Sequence, residues 1–131
     1  MKMLTGKVVS GAGNFSQWIE KLKEPYQKKT GLQLFPGTLN VQLGEEYSIP
    51  PNAIRLEAEE YGGTVSINIV ACRIFGEDAV ILRTDRNERG EGLHPKTLVE
   101  VACEVKLRDK YNLKDGDIVQ IEVSADEREA E

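Results

Sequence analysis

The chain has few of the residues that most often build metal and redox centres. Its 131 residues include one histidine and two cysteines, and the cysteines, Cys72 and Cys103, lie singly inside apolar stretches. An isolated cysteine in such a stretch behaves as a small apolar side chain, whereas zinc and dithiol sites need clustered ligands. The sequence therefore argues against a zinc or dithiol centre and fits a reduced, cytoplasmic protein.

Long apolar runs and an excess of positive charge are also missing. No run approaches the roughly 18 apolar residues of a membrane-spanning helix, and residues 1–10 lack the pattern of a secretion signal. With 17 basic against 22 acidic residues, the formal net charge is −5. We therefore expect no binding to membranes or to nucleic acid, which needs a basic face. A nucleotide is still compatible, because a few local cations and a metal can hold it.

What the chain does contain is a series of short strand-like stretches separated by glycine and proline. The clearest is a hairpin, in which residues 64–75 and 79–84 flank a turn at Gly76-Glu77-Asp78. The other strand-like stretches are residues 3–9, 38–43, 53–56, 98–105 and 118–123. About six strands in one domain, over residues 1–124, can remove their exposed edges by closing into a barrel.

The segments between the strands are assigned to one helix, a loop and a tail. Apolar residues at helical spacing predict one main helix after the first strand, with a kink at Pro25 and an end at Gly31. Residues 85–92 are polar and without periodicity, so they are predicted to form a mobile loop. The charged tail, residues 125–131, is predicted to be disordered.

Two short stretches carry oxygen donors or backbone N–H groups that could bind a ligand. Thr38 and Asn40 follow the turn Pro36-Gly37 and point to the same side of a strand. A hydroxyl and an amide oxygen suit Mg²⁺, although such a pair is more typical of the solvent face of a hairpin. Residues 10–14 form a glycine-rich loop between a strand and a helix, where N–H groups can meet phosphate; a plain turn is the alternative.

Two further polar residues have competing interpretations. His94 stands alone beside Pro95, which is more typical of a surface or capping residue than of a catalytic base. Glu100 lies on the polar face of the strand over residues 98–105, where it is either exposed to solvent or part of a site.

Taken together, three stretches resemble the CTP-dependent riboflavin kinases best represented in archaea. They are Gly6-Lys7-Val8-Val9-Ser10-Gly11, Pro36-Gly37-Thr38-Leu39-Asn40, and Lys106-Leu107-Arg108 with Asn112-Leu113-Lys114-Asp115-Gly116-Asp117. Their order and spacing match the family from about Leu4 to Val123. The resemblance implies a mainly β fold, a six-stranded cradle-loop barrel with one main helix and short helical turns. It also implies transfer of the γ-phosphoryl group of CTP to the ribityl 5′-hydroxyl of riboflavin, which yields FMN and CDP.

The resemblance also assigns roles to individual residues. It implies Mg²⁺ on Thr38 and Asn40, and a riboflavin contact at Glu100, acting as base or as orienting group, with His94 nearby. It implies nucleotide contacts at Ser10, Gly11, Ala12, Gly13, Val105, Lys106, Leu107 and Arg108. Lys106 and Arg108 follow a strand end and begin a helical turn, where N–H groups and two cations can converge on a polyphosphate.

The chain departs from the family pattern at two places. The family loop commonly continues Gly-Glu-Gly and an aromatic residue, whereas here Gly13 is followed by Asn14. Gly92-Leu93 replaces a threonine and an aromatic residue before His94. The resemblance leads us to expect a monomeric, Mg²⁺-dependent riboflavin kinase. Because of the two departures, we keep two alternatives open. One is a related kinase with a different acceptor or nucleotide, and the other is a non-catalytic cradle-loop module that binds ligands.

Overall fold

The structure, a computed structural model, describes residues 2–11, 15–91 and 95–123. Across these ranges the chain forms seven strands, four short α-helices and one 3₁₀ turn at Ala58–Glu60. The strands are β1 Lys2–Val9, β2 Leu39–Leu43, β3 Ile54–Leu56, β4 Ile67–Ile74, β5 Glu77–Thr84, β6 Leu98–Cys103 and β7 Ile118–Val123. The helices are α1 Phe15–Lys21, α2 Lys23–Thr30, α3 Asp85–Glu88 and α4 Leu107–Lys110.

Six of the strands close into an antiparallel barrel in the order β4, β5, β6, β2, β1, β7 and back to β4. Closure depends on β4, which is paired along one edge with β5. On its other edge it pairs first with β3, at Ile67–Ile69, and then with β7, at Cys72–Ile74. The predicted six-stranded barrel is therefore confirmed, and the short strand β3 is an addition at its edge.

Alternation along the strands divides the apolar residues between two cores. One set of alternate residues fills the barrel, including Val41 on β2, Val101 on β6 and Ile121 on β7. The opposite faces of β4, β5 and β6 contribute to a second core beneath α1 and α2. That second core contains Ile19, Leu22, Tyr26, Leu34, Leu56, Ile67, Ile69, Val80, Leu82 and Ala102. The barrel interior is thus filled with side chains, and any ligand site must lie on its outer face or rim.

The predicted single helix is two helices separated at Leu22. Pro25 lies in the first turn of α2, where its missing N–H breaks no intrahelical bond. The predicted end at Gly31 is confirmed: this residue has φ 76° and donates its N–H to the carbonyl of Gln27. The predicted tail, residues 125–131, lies outside the described residues.

Two local predictions were wrong. The turn between β4 and β5 is Phe75-Gly76, with φ 54° and 78°, because Ile74 pairs directly with Glu77. Two positive φ values are what a two-residue type I′ hairpin requires. The stretch predicted as a loop over residues 85–92 begins with α3, because the Thr84 side chain accepts a hydrogen bond from the Asn87 N–H at 3.1 Å.

A buried arginine ties one end of the barrel to the segment that precedes β6. Arg83 on β5 is 3% exposed, and it donates to the carbonyls of Tyr47, Lys96 and Leu98 and to the Glu88 carboxylate. Its guanidinium therefore has both hydrogen-bond acceptors and a countercharge, as a buried cation requires. This anchoring fixes the start of β6, the strand that carries Glu100.

None of the helices in the described ranges has the length and apolar character of a membrane-spanning helix.

We expect Gly6→Ala to destabilise the barrel. A Cβ at position 6 would lie 2.6 Å from Val41 Cγ1 and 2.7 Å from the backbone oxygen of Gln42, which cannot move without disturbing the β1–β2 pairing. Such overpacking costs about 1–3 kcal/mol of unfolding free energy. Gly44→Ala is the control, since a Cβ there meets nothing within 4 Å, and it should change stability by about 0.5 kcal/mol or less. Equal stabilities of the two variants in denaturant titrations would contradict this packing.

Candidate functional site

The barrel register brings three of the predicted site residues together on its outer face. Asn40 on β2 lies directly opposite Glu100 on β6, and Glu100 lies opposite Leu82 on β5. Because Leu39 and Val41 point into the barrel, Asn40 must point outward. Thr38, just before β2, donates its hydroxyl hydrogen to Glu100 Oε1 at 3.1 Å. The carboxylate, the amide and the hydroxyl thus form one cluster, the outer-face cluster.

Glu100 is not the solvent-facing glutamate that the alternation of β6 allowed. It is 6% exposed, and burial raises the pKa of its carboxyl from 4.5 to about 7. The hydrogen bond from Thr38 and the charge of Arg83 act in the opposite direction, but burial prevails. A carboxyl with a pKa near neutrality exchanges protons readily at physiological pH, as a general base or acid requires.

The side chain of Asn40 has an oxygen that no described residue binds. Asn40 is 8% exposed, and its buried Oδ1 has no hydrogen-bond partner among the residues that the structure describes. An unpaired buried oxygen costs about 1–3 kcal/mol unless something binds it. A Mg²⁺ ion would accept this oxygen together with the Thr38 hydroxyl oxygen, so the residues fit the predicted cation. Within the described ranges, no group of three or more His, Cys, Asp or Glu side chains could hold a metal.

Gly11, the last residue described before the gap at residues 12–14, lies against the Asn40 side chain. A Cβ at position 11 would lie 1.9 Å from Asn40 Nδ2, so only glycine lets the backbone pass the amide. The predicted nucleotide contacts Ser10 and Gly11 therefore lie beside the outer-face cluster. The predicted contacts Ala12, Gly13 and His94 lie outside the described residues.

A cavity of about 70 Å³ lies beside the cluster and has residues of the predicted nucleotide site in its wall. Its lining includes Phe35, Thr38, Val105, Lys106, Leu107 and Arg108. Leu107 also packs into the barrel core, so its side chain is engaged in the fold. The tertiary structure thus brings the turn before β2 and the turn before α4 to one place, although about 70 residues separate them in the sequence.

The two predicted cations of this region differ in their surroundings. The Arg108 guanidinium donates to Asp115 Oδ1 at 2.7 Å and to the carbonyl of Val9 at 3.2 Å. Lys106 is exposed, and its Nζ lies 3.8 Å from Asp109. The charge of Arg108 is therefore already paired, whereas that of Lys106 is more available to a ligand.

Sequence reasoning missed two residues at the site. Asp115 lies in one of the stretches that carry the family resemblance but was given no role, and its carboxylate accepts from both Ser10 and Arg108. Tyr26, one of the residues at helical spacing before Gly31, is fully buried, and its hydroxyl has no partner among the described residues. Burial, followed by Tyr61 and then Glu100, raises the pKa of Tyr26. The available signal for Tyr26 was a hydroxyl among apolar residues at helical spacing, and that for Asp115 was its place in a stretch that resembles the family.

Comparisons with known proteins identify the family of the chain. A family model labelled CTP-dep_RFKase and described as "Domain of unknown function DUF120" matches residues 8–123. The chain is 33% identical to a riboflavin kinase of Pyrobaculum aerophilum, with 92% of this chain and 60% of that protein aligned. It is 32% identical to a riboflavin kinase of Archaeoglobus fulgidus, with 92% of this chain and 54% of that protein aligned.

A third relative, a riboflavin kinase of Pyrococcus abyssi, is 30% identical over 92% of this chain and 58% of its own length. The chain thus spans somewhat more than half the length of these relatives. The family model nevertheless matches from the end of β1 to the end of β7, and the matched residues include the outer-face cluster. The chain belongs to the DUF120 family of CTP-dependent riboflavin kinase domains.

Proposed function

We propose that the protein is a riboflavin kinase that transfers the γ-phosphoryl group of CTP to the ribityl 5′-hydroxyl of riboflavin in the presence of Mg²⁺. The observation that carries the proposal is the outer-face cluster, in which the Thr38 hydroxyl, the unpartnered Asn40 oxygen and the buried Glu100 carboxyl meet. Family membership and three relatives named riboflavin kinase support the choice of acceptor. The label of the family model supports CTP as donor.

Phosphoryl transfer depends mainly on positioning the reactants and neutralising charge. Thr38 and Asn40 would hold Mg²⁺, which supplies positive charge to the phosphate oxygens when it is bound. Thr38 keeps Glu100 Oε1 in place, so the other carboxylate oxygen is free to meet the acceptor hydroxyl. Glu100 orients that hydroxyl and takes its proton as the new O–P bond forms and the bond from the γ-phosphorus to the β,γ-bridging oxygen breaks, with CDP as the leaving group.

The phosphates of the nucleotide would lie at the mouth of the cavity between the turn before β2 and the turn before α4. Lys106 stands at its wall with an exposed ammonium group, and Gly11 brings backbone close to Asn40 from the other side. A net charge of −5 does not oppose this arrangement, because a phosphate responds to the local field.

The direct test is to incubate the protein with riboflavin, Mg²⁺ and each nucleoside triphosphate separately, and to follow FMN by chromatography. We expect FMN with CTP and little with ATP, GTP or UTP. FMN with another nucleotide would reassign the donor. If no nucleotide yields FMN but calorimetry detects binding of CDP, the chain is a kinase for another acceptor or a module that only binds ligands.

We expect Asn40→Ala to lower activity much more than stability. The Asn40 oxygen has no partner among the described residues, so its loss breaks no known hydrogen bond of the chain, but it removes one Mg²⁺ ligand. The Mg²⁺ concentration at half-maximal rate should rise at least about tenfold, the equivalent of about 1.4 kcal/mol. Gln42→Ala is the control, two residues along the same strand and on the same face, and should leave the Mg²⁺ dependence unchanged. A melting-temperature loss that parallels the activity loss would make Asn40 structural.

We expect Glu100→Gln to abolish activity and to stabilise the protein above neutral pH. The folded-state pKa of about 7 exceeds the usual 4.5, so the stability that Glu100 contributes is complete below pH 4.5 and is lost as pH rises through 7. Each pKa unit corresponds to about 1.4 kcal/mol, so the variant should gain roughly 1–3 kcal/mol over wild type at pH 8 and little at pH 4.

Denaturant titrations at the two pH values measure this difference. Glu104→Gln is the control, because Glu104 is an exposed carboxylate just beyond the end of β6. It should change neither the activity nor the pH dependence of stability. A Glu100→Gln variant that is less stable than wild type at pH 8 would show that the ionised carboxylate is well solvated or paired.

A further inference from the structure

The entry to the glycine-rich loop is held by one exposed carboxylate. Asp115 accepts the hydroxyl hydrogen of Ser10 through Oδ2 and an Arg108 N–H through Oδ1 at 2.7 Å. The same Arg108 nitrogen donates to the carbonyl of Val9 at 3.2 Å. Both residues at the end of β1 are therefore tied, directly or through Arg108, to Asp115. We call Ser10, Arg108 and Asp115 the loop latch.

Backbone hydrogen bonds hold the turn that carries Asp115 onto the same strand. The Gly116 N–H donates to the Val8 carbonyl at 2.7 Å, and the Val8 N–H donates to the Asp117 carbonyl at 2.8 Å. These bonds place the turn beside β1, but they stop one residue before the loop entry. Beyond Val8, the latch side chains supply the described links between this turn and the loop.

The position of the next residue in the loop bears directly on the outer-face cluster. Gly11 follows Ser10, and a Cβ there would lie 1.9 Å from Asn40 Nδ2. The backbone of Gly11 thus limits where the Asn40 amide can turn, and with it the direction of the unpartnered Oδ1. A shift of Ser10 away from Asp115 would move Gly11 and release the amide.

The charges of the latch are matched within it. The hydrogen bond from Ser10 and then that from Arg108 lower the pKa of Asp115, so its ionised form is favoured. Arg108 lines the cavity, but its charge faces a carboxylate, and a phosphate would have to compete for it. Lys106 is exposed, and among the described residues the one carboxylate within 4 Å of its Nζ is that of Asp109, at 3.8 Å.

We propose that Asp115 is a positioning residue for the nucleotide side of the site. Asp115 acts through Ser10 and Arg108 to hold Gly11 against Asn40. Arg108 serves here as a part of the latch and not as the cation that neutralises a phosphate, a role that falls to Lys106. The proposal rests on the proposed function for its ligand, a nucleoside phosphate with Mg²⁺. Its structural half, the fixing of Val9–Gly11 by Asp115, is independent of that function.

The test compares Asp115→Asn with Asp117→Asn, a neighbouring carboxylate in the same turn whose side chain accepts from the Lys114 N–H and does not contact the latch. Asp115 is half exposed, and exposed ion pairs contribute little to stability, so both variants should fold. Hydrogen exchange of peptides covering Val9–Gly11 is measured first, without any ligand. Exchange there should be at least about fivefold faster in Asp115→Asn and unchanged in Asp117→Asn. Equal exchange in both variants would overturn the latch.

The second measurement is the affinity for CDP with Mg²⁺ by calorimetry and, in active protein, KM for CTP and for riboflavin. Asp115→Asn should weaken nucleotide binding about tenfold and leave KM for riboflavin within about twofold. Lys106→Ala should weaken nucleotide binding by itself, and its effect should multiply with that of Asp115→Asn. Arg108→Ala should resemble Asp115→Asn, and the double variant should be no worse than either single one.

The outcomes separate the latch from the proposed function. If Arg108→Ala weakens nucleotide binding far more than Asp115→Asn, and the two effects multiply, Arg108 contacts the phosphates directly and the proposal is wrong. If exchange rises in Asp115→Asn but nucleotide affinity does not fall, the latch exists without positioning the site, and the proposal is again wrong. Absence of FMN with every nucleotide counts against riboflavin kinase activity, while the exchange result still decides the structural half.

Discussion

Closure of the sheet by β4 is the constraint on which the rest of the structure depends. Along one edge, the first half of β4 pairs with β3 and the second half pairs with β7, so that six strands form a closed ring. A ring of six strands has an interior that its own side chains fill, here apolar residues from every barrel strand. The candidate site residues therefore lie on the outer face, in the row that contains Asn40 and Glu100.

A site on the outer face of a barrel would ordinarily be exposed to solvent. Here two helices cover part of that face. The helices α1 and α2 bury the adjoining faces of β4, β5 and β6, and Glu100 lies next to Leu82 and Ala102 of that covered surface. Burial raises the pKa of Glu100, and the buried Asn40 oxygen has no partner among the described residues. Both effects disfavour the folded state, and both prepare a carboxyl and an oxygen for a ligand.

Much of the local structure was determined by the sequence alone. Period-2 alternation predicted the barrel strands and the common direction of Thr38 and Asn40, and glycine at position 31 predicted the end of α2. These features depend on residues a few positions apart, where backbone sterics and the alternation of side chains decide the outcome. The short helix α3 and the turn Phe75-Gly76 were missed, because a cap and a strand register outweighed composition.

Contacts between distant segments were decided only by the tertiary structure. Alternation placed Glu100 on a polar face, and its burial depends on a helix some 75 residues earlier in the chain. Arg108 was predicted to meet a phosphate from its place after a strand, yet its pairing with Asp115 and Val9 follows from how β1 and the turn before β7 meet. The sequence determined which chemical groups are present and which way each strand presents them. The tertiary fold decided which of those groups are desolvated and which charges are already paired, because both depend on neighbours that no local pattern specifies.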